Sequence, residues 1–209
     1  MKLLLFSDLH GDVDAARRLV TLAADADVIV GAGDFGNAHH GVADCVPVLA
    51  QIAAPAIVVP GNNETFEELV EACLTWATAT VLHGTCVTVA GVTFFGIGGG
   101  IPVTPFGGWS YDFAESEGAV LLGDCPPGAV LVSHSPPRGV ADVSSSGRSL
   151  GSEAVRDAVI RTRPRLVVCG HIHASAGQTR FLGATPVVNA GPGGVLLDLD
   201  TGAGAVPRQ

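Results

Sequence analysis

The stretch "PAIVVPGNNETFEELVEACL", residues 55–74, contains the pattern that decides the fold. It begins with a short apolar run, passes through Pro60-Gly61 and two adjacent asparagines, and continues with apolar residues at helical spacing. This order predicts a strand, a tight junction and an amphipathic helix. We expect Asn63 either to cap that helix, which we predict to begin at Glu64, or to place amide N–H groups near an anion.

Apolar runs with few charges recur along the chain, which is typical of strands buried on both faces of a sheet. They are "KLLLF" (2–6), "DVIVGA" (27–32), "AIVVP" (56–60), "AVLVS" (129–133) and "RLVVCG" (165–170). Helical spacing follows each of the first three runs, and Asp12 is a suitable cap for a first helix that extends to about residue 24. Strands that alternate with helices predict a parallel sheet with right-handed crossovers.

The second half of the chain has a different pattern. Two β-rich runs flank Ala90-Gly91 and predict a hairpin, and a long Gly/Pro-rich loop follows at residues 98–113. A further strand–helix–strand unit then has its helix at about 152–162, with Ser152 as a cap. Residues 177–200 predict three short strands in an antiparallel arrangement. We therefore expect one α/β domain with mixed sheets over residues 1–209.

Composition limits the classes of function. The chain has 209 residues, 47% of them hydrophobic, which is enough for one sizeable core. A formal charge of −9 would repel long nucleic acids and anionic membranes. Five scattered cysteines without a C-x-x-C pair predict reduced thiols and a cytoplasmic protein. We expect no signal peptide or membrane span, because no apolar run approaches about 20 residues.

Seven polar residues follow the predicted strands, where the carboxyl ends of parallel strands share one rim. They are Asp8, His10, Asp34, Asn62, His134, His171 and His173. In extended backbone, residues two apart point to the same side, so Asp8 with His10, and His171 with His173, are each expected to present two ligands together. Seven mixed nitrogen and oxygen ligands suit two metal ions that share a carboxylate. Imidazole with carboxylate and amide oxygen suits Mn, Fe or Zn.

The series Asp8-x-His10, Gly33-Asp34, Gly61-Asn62, His134 and Gly170-His171-x-His173 resembles the calcineurin-like metallophosphoesterase family. The stretch between residues 133 and 177 is also similar to a small phosphodiesterase-like branch of that family. The resemblance implies a four-layer α/β/β/α sandwich of two mixed sheets, with two divalent metal ions, Mn²⁺ first among them, at the sheet edge. It implies that one ion is held by Asp8, His10 and His173, the other by Asn62, His134 and His171, and that Asp34 bridges them.

The resemblance further implies a phosphoesterase, most simply a phosphodiesterase, in which a metal-bridging hydroxide attacks phosphorus in line. We predict Asp34 and Asn63 as the catalytic residues. Many family members carry a histidine at the position of Asn63, where it protonates the leaving oxygen. Asn63 has only amide N–H donors, so it can hydrogen-bond a phosphoryl oxygen but cannot act as that acid. His39 or His40 can replace the acid, or both can be loop residues.

Other side chains are candidates for contacts with a small phosphate ester. We predict Asn63, His39 and Arg138 as substrate-binding residues, and Arg138 and Arg148 can either clamp a phosphate or be solvated loop charges. Trp109 and Tyr111 can either stack on an aryl group or nucleobase, or pack within the protein. His83 is expected to be structural.

Three functional alternatives stay open on the sequence alone. A phosphomonoesterase or nucleotide pyrophosphatase would use the same site as a phosphodiesterase. A metal-binding scaffold with little turnover would keep the ligands without the chemistry, and Asn63 is the feature that favours it. In each case we expect no extended nucleic acid and no membrane as a partner, and the sequence does not define the oligomeric state.

Overall fold

The computed structural model describes residues 1–200, in which two β-sheets pack face to face between helices. In chain order, the strands are β1 (Lys2–Phe6), β2 (Val28–Ala32), β3 (Ala56–Val59), β4 (Ala79–Val81), β5 (Thr85–Val89), β6 (Val92–Ile97), β7 (Val130–Ser133), β8 (Leu166–Cys169), β9 (Thr179–Leu182), β10 (Thr185–Asn189) and β11 (Val195–Asp198). The α-helices of the described part are α1 (Val13–Leu22), α2 (Val42–Leu49), α3 (Phe66–Cys73), α4 (Glu115–Leu121) and α5 (Glu153–Thr162).

Both sheets are mixed. The first has the order β11-β1-β2-β3-β4, in which β1 to β4 are parallel and β11 runs antiparallel to β1. The second has the order β5-β6-β7-β8-β10-β9, in which β6, β7, β8 and β10 are parallel and the two edge strands are antiparallel. The carboxyl ends of the central parallel strands in both sheets therefore lead into the polar residues identified above.

Three apolar layers separate the four layers of secondary structure. Along β1, Leu3 and Leu5 pack between the two sheets, whereas Leu4 and Phe6 pack against α1, α2 and α3. This alternation is the period-2 pattern of a strand that is buried on both faces. A third cluster lies between the second sheet and α4 and α5, as the burial of Phe95 and Val155 shows. The predicted α/β/β/α sandwich of two mixed sheets is thus confirmed.

Several local predictions are also confirmed. The Asp12 side chain accepts a hydrogen bond from Ala15 N–H and caps α1, and Ser152 accepts one from Val155 N–H and caps α5. The β5–β6 hairpin turns at Ala90-Gly91, where both residues have positive φ (47° and 79°). Such a turn follows the right-handed twist of the strands, which explains why glycine is favoured at its second position.

The structure differs from the sequence prediction in three elements. The three-residue strand β4 and the helix α4 were not predicted. The expectation of three antiparallel strands in the tail is wrong in part: β9 and β10 pair antiparallel, but β10 also pairs parallel with β8, and β11 joins the other sheet beside β1. Among residues 1–200, none of the helices has the length and apolar character needed to cross a bilayer.

Candidate metal centre

One group of ligand atoms forms around Asp8, at the end of β1. Asp8, His10, Asp34 and His173 each offer one atom, and these atoms all lie within 4.8 Å of one another. His10 Nε2 is 2.9 Å from His173 Nε2 and 3.6 Å from Asp34 Oδ2. His173 Nε2 is 3.7 Å from Asp8 Oδ1. Two imidazoles and two carboxylates thus converge on one small volume.

A second group of ligand atoms forms around Asn62, at the end of β3. Asn62 Oδ1 is 3.1 Å from His134 Nε2 and 3.0 Å from His171 Nδ1. His134 Nε2 is also 3.5 Å from Asp34 Oδ1. The two oxygens of Asp34 therefore face different groups, Oδ2 towards His10 and Oδ1 towards His134. The structure brings all seven predicted ligand residues together in two groups that meet at Asp34.

Hydrogen bonds orient two ligands of the second group. The carbonyl oxygen of Ala32 accepts a hydrogen bond from His134 Nδ1 at 2.8 Å, which leaves Nε2 of the same ring facing Asn62 Oδ1 at 3.1 Å. The Asn62 amide is oriented by its own hydrogen bond, from Nδ2 to Ser110 Oγ at 3.0 Å. Two ring nitrogens that converge on one amide oxygen are suited to share a divalent cation with it, and the bonds that orient these groups are of the kind that surrounds metal ligands.

The directions of the pKa shifts of three ligand side chains agree with this interpretation. Burial, together with repulsion from His134, holds the pKa of His171 well below its usual range. Burial also lowers the pKa of His10. Neutral imidazoles are the form that binds metals. Burial and the neighbouring Asp8 carboxylate raise the pKa of Asp34 well above its usual range, so a cation placed beside it would relieve the repulsion between the two acids.

An unusual backbone conformation at four ligand residues accompanies their close approach. Asp8, His10, Asp34 and His171 all have positive φ, between 49° and 65°. This left-handed conformation is uncommon outside glycine and tends to occur at functional sites. The predicted reason for the Asp8–His10 and His171–His173 pairings, extended backbone, is therefore wrong. His171 faces Asn62, whereas His173 begins a short 3₁₀ turn and faces Asp8.

The glycines of the G-D and G-N motifs permit the same close approach. A Cβ atom at Gly33 would lie 2.6 Å from both Gly61 Cα and His134 Nδ1. A Cβ atom at Gly61 would overlap the carboxylate of Asp34. Only residues without a side chain allow the two junctions to pack against each other and against the ligands.

Glu64 is a buried residue of the site that sequence reasoning missed. Its Oε1 accepts hydrogen bonds from Asp34 N–H at 2.9 Å and from Gly61 N–H at 2.7 Å, and its Oε2 accepts one from Gly36 N–H at 3.1 Å. Burial, with the Asp34 carboxylate nearby, raises the pKa of Glu64 to about 7. Glu64 thus ties the Asp34 loop to the asparagine junction. The sequence signal for this role is a carboxylate that directly follows the two asparagines at the end of a predicted buried strand.

Asn63 does not cap α3. Thr65 is the cap, and it forms a capping box in which Thr65 and Glu68 each accept a backbone hydrogen bond from the other. Asn63 instead holds Asp34: its backbone N–H donates to Oδ1 at 2.9 Å and its Nδ2 donates to Oδ2 at 2.8 Å. Its Oδ1 accepts a hydrogen bond from Ala38 N–H at 2.9 Å. The nitrogen and the oxygen of the Asn63 side-chain amide are therefore both hydrogen-bonded within the protein.

His39 lies beside the site, in contact with two other segments. Its Nδ1 is 2.8 Å from Glu68 Oε2, and the carbonyl oxygen of Trp109 accepts a hydrogen bond from its Nε2 at 2.6 Å. Hydrogen bonds to Glu68 and to this carbonyl raise the pKa of His39. His40 is exposed. Both ring nitrogens of His39 are thus engaged, and its role as a replacement acid or a substrate contact stays a prediction.

The side chains of the remaining candidates make no hydrogen bond or ion pair with the ligand side chains among residues 1–200. Arg138 and Arg148 are exposed, and in residues 1–200 neither guanidinium is hydrogen-bonded or ion-paired to a ligand residue. His83 accepts a hydrogen bond from Gly98 N–H and packs against Tyr111, in agreement with a structural role. The Tyr111 ring also packs against Phe113, whereas Trp109 is exposed.

The described residues contain five free cysteines, four of them buried, which agrees with the prediction of unpaired thiols. Cys86 is the exposed one. The thiols do not enter either group of ligand atoms, so the site is built from imidazole, carboxylate and amide groups.

The fold is a four-layer sandwich of two mixed sheets between helices, and the site is a group of side chains that could hold a metal ion at the ends of its strands. The chain belongs to the calcineurin-like phosphoesterase family, whose sequence model matches residues 1–175. Proteins of this family are generally hydrolases of phosphate esters that use divalent metals. The predicted resemblance is therefore confirmed at the level of the family, while the branch within it stays a prediction. A search of curated protein sequences found no match.

Solved structures share the fold of this chain. The protein TT1561 of Thermus thermophilus is similar with a TM-score of 0.77 and 22% identity, over 95% of this chain and 94% of that one. The phosphopantetheinyl hydrolase PptH from Mycobacterium tuberculosis has a TM-score of 0.58 and 17% identity, over 91% and 88%. A dimetal phosphatase from Danio rerio has a TM-score of 0.58 and 11% identity, over 92% and 88%. At these identities, the likeness concerns the fold alone.

Proposed function

We infer that the protein hydrolyses small phosphate esters, with phosphodiesters as the preferred class, at a centre of two divalent metal ions. The observation that carries this inference is the position of Asp34. Its two carboxylate oxygens lie 3.6 Å from His10 Nε2 and 3.5 Å from His134 Nε2, so one buried side chain faces both groups of ligand atoms. A carboxylate in this position is suited to bridge two ions.

The residues present fit such ions. Asp8, His10 and His173 would hold one ion, Asn62, His134 and His171 the other, and Asp34 both. Mn²⁺ is the proposed metal, with Fe or Zn as alternatives, because the ligands combine imidazole with hard oxygen donors. When bound, a pair of divalent ions activates water and neutralises charge on a phosphoryl group. Two such ions outweigh Asp8 and Asp34 by about two positive charges, which favours an anionic ester despite the acidic protein.

The chain's own residues prepare this centre. Asn63 holds both oxygens of Asp34, Glu64 holds the Asp34 backbone, and Ala32 fixes the tautomer of His134. None of these groups protonates a leaving oxygen: an amide N–H is too weak an acid, and Glu64 is fully buried. We therefore propose that esters with good leaving groups react fastest, since they depart without general acid catalysis.

A panel of substrates tests the proposal. The Mn²⁺-loaded protein is assayed with bis-p-nitrophenyl phosphate, p-nitrophenyl phosphate, cyclic nucleotides and nucleoside diphosphate compounds, before and after chelation. We expect the diester to have the highest kcat/KM, chelation to abolish turnover and Mn²⁺ to restore it. Preference for the monoester or the diphosphates would instead assign a phosphomonoesterase or a nucleotide pyrophosphatase. Tight metal binding without turnover of any compound would assign a scaffold.

A further inference from the structure

A short loop, residues 102–110, lies against the candidate metal centre, and we call it the strap. The Asn62 side chain donates a hydrogen bond to Ser110 Oγ at 3.0 Å, and the Asn62 carbonyl oxygen accepts one from Tyr111 N–H at 3.0 Å. The Trp109 carbonyl oxygen accepts a third bond, from His39 at 2.6 Å. The C-terminal end of the strap is thus attached directly to a candidate metal ligand.

The strap is also held together internally. The Asp112 carboxylate accepts hydrogen bonds from Thr104 N–H at 2.8 Å and from Ser110 Oγ at 2.9 Å. Ser110 N–H donates to Gly107 O at 3.1 Å, which closes the turn at the tip. None of these bonds uses the side chains of Phe106 or Trp109. The two aromatic rings are therefore presented by a loop whose shape does not depend on them.

Phe106 and Trp109 stack on each other at the surface. Their ring centroids are 5.8 Å apart with an interplanar angle of 18°, and the residues are 53% and 40% exposed. Val103 of the same strap is exposed as well. The strap, "PVTPFGGWS", contains no charged residue. Exposed apolar side chains that cluster, rather than occur singly, are typical of binding surfaces, and flat rings are well suited to stack on another ring.

We propose that Phe106 and Trp109 form a platform that binds the aromatic or otherwise flat apolar group of the phosphate ester. This proposal rests on the proposed function. It follows from continuity: the phosphoryl group would lie at the proposed ions, the Asn62 side chain contacts Ser110, and Trp109 directly precedes Ser110 in the chain. It also agrees with the chemistry of Asn63, because an aryl oxygen leaves without the acid that this position lacks. The platform makes aryl-bearing esters the preferred substrate class.

Binding of two phosphonates that cannot be hydrolysed as esters separates the platform from the metal centre. Phenylphosphonate and methylphosphonate are titrated calorimetrically into the Mn²⁺-loaded protein, its Phe106→Ala/Trp109→Ala variant and a Phe181→Ala control. Phe181 is an exposed aromatic residue on β9, outside the strap. Replacing Trp109 by alanine keeps the carbonyl oxygen that His39 contacts, so the attachment of the strap is preserved.

We expect phenylphosphonate to bind about 10-fold more tightly than methylphosphonate in the wild type and in the control, as stacking on an aromatic platform would give. In the double variant the ratio falls to near one, while the affinity for methylphosphonate stays the same. Equal binding of the two compounds by the wild type overturns the platform and leaves the proposed function intact. Loss of methylphosphonate binding in the double variant also overturns it, because the rings would then support the metal centre. Failure of the wild type to bind either compound overturns the proposed function itself.

Discussion

Asn63 donates two hydrogen bonds to the carboxylate of Asp34, one from its backbone N–H to Oδ1 at 2.9 Å and one from its side-chain Nδ2 to Oδ2 at 2.8 Å. Asn63, at the position where the family resemblance implies a proton donor in other chains, is thus used to position the acid that faces both groups of ligand atoms. Its amide oxygen is taken by Ala38 N–H, which links the same junction to the loop that contains His39.

The lack of an acid at position 63 predicts that the rate of hydrolysis depends strongly on the leaving group. Without an acid at position 63, kcat/KM should fall steeply as the leaving-group pKa rises, and Asn63→His should raise rates for alkyl leaving groups by up to about 10²-fold while changing aryl esters less. The measurement is the slope of log kcat/KM against leaving-group pKa. Asn37→His, which adds an imidazole at an exposed loop position, is the control. The prediction is contradicted if the wild type has a shallow slope that Asn63→His does not change. If loss of His39 or His40 then makes the slope steeper, the acid lies at that histidine.

Glu64 should be important for stability. In Glu64→Gln the side-chain amide nitrogen would face one of three backbone N–H donors that the carboxylate now satisfies. An unsatisfied buried group costs about 1–3 kcal/mol, so we expect a decrease of that size in the free energy of unfolding, measured with urea. Glu67→Gln, on the exposed face of α3, should change it little. Equal stabilities of the two variants would show that the contacts of Glu64 are not important.

His39 should give a stability contribution that depends on pH. Because hydrogen bonds to Glu68 and the Trp109 carbonyl raise its pKa in the folded protein, the contribution is fully present below about pH 6.5 and is lost as pH rises through the folded pKa. The pair is partly exposed, so solvent screening limits the effect to about 1 kcal/mol or less. Urea unfolding of the wild type and His39→Gln should therefore differ more at pH 6 than at pH 9. The exposed His40→Gln serves as control, and a His39→Gln difference that is the same at both pH values would refute the assignment.

Ser110 should affect metal affinity through Asn62. Ser110→Ala removes the acceptor that keeps Asn62 Oδ1 pointing towards His134 and His171. Loss of such an orienting bond typically weakens metal binding by about 10–100-fold, and we expect this for one of the two ions. Competition with a fluorescent chelator measures it, with Ser145→Ala in an exposed loop as the control. Unchanged affinity for both ions would mean that Asn62 does not need Ser110.

The sequence predicted the parts of the fold that depend on local pattern. The buried strands, the caps Asp12 and Ser152 and the Ala90-Gly91 turn each have a signal within a few residues. Helix α4 does not, since its one buried residue is Gly118, which packs against Ile101 and gives no apolar stripe. The cap of α3 also has a local signal, since Thr65-x-x-Glu68 is a capping-box pattern, and for this reason Thr65 rather than Asn63 caps the helix.

The site was predictable in composition but not in geometry. Polar residues at the ends of parallel strands converge because the strands do, which brings the two groups of ligand atoms together. The left-handed backbone at Asp8 and His171 has no such sequence signal, and both residues donate backbone hydrogen bonds to distant segments, Asp8 N–H to the Gly33 carbonyl and His171 N–H to the Asp8 carboxylate. The contacts of His39 with Glu68 and Trp109 span 29 and 70 residues, and only the folded chain shows them.

Metal content of an Asp34 variant tests the central claim most directly. Protein loaded with Mn²⁺ and freed of excess metal is analysed for metal per chain and for hydrolysis of bis-p-nitrophenyl phosphate, as wild type, Asp34→Ala and Asp14→Ala. Asp14 is an exposed acid on α1 that pairs with Arg17, so its loss controls for charge alone. We predict two ions per chain in the wild type and in Asp14→Ala, and a joint loss of metal and turnover in Asp34→Ala. Retention of two ions and near-normal turnover in Asp34→Ala would contradict a centre bridged by this carboxylate.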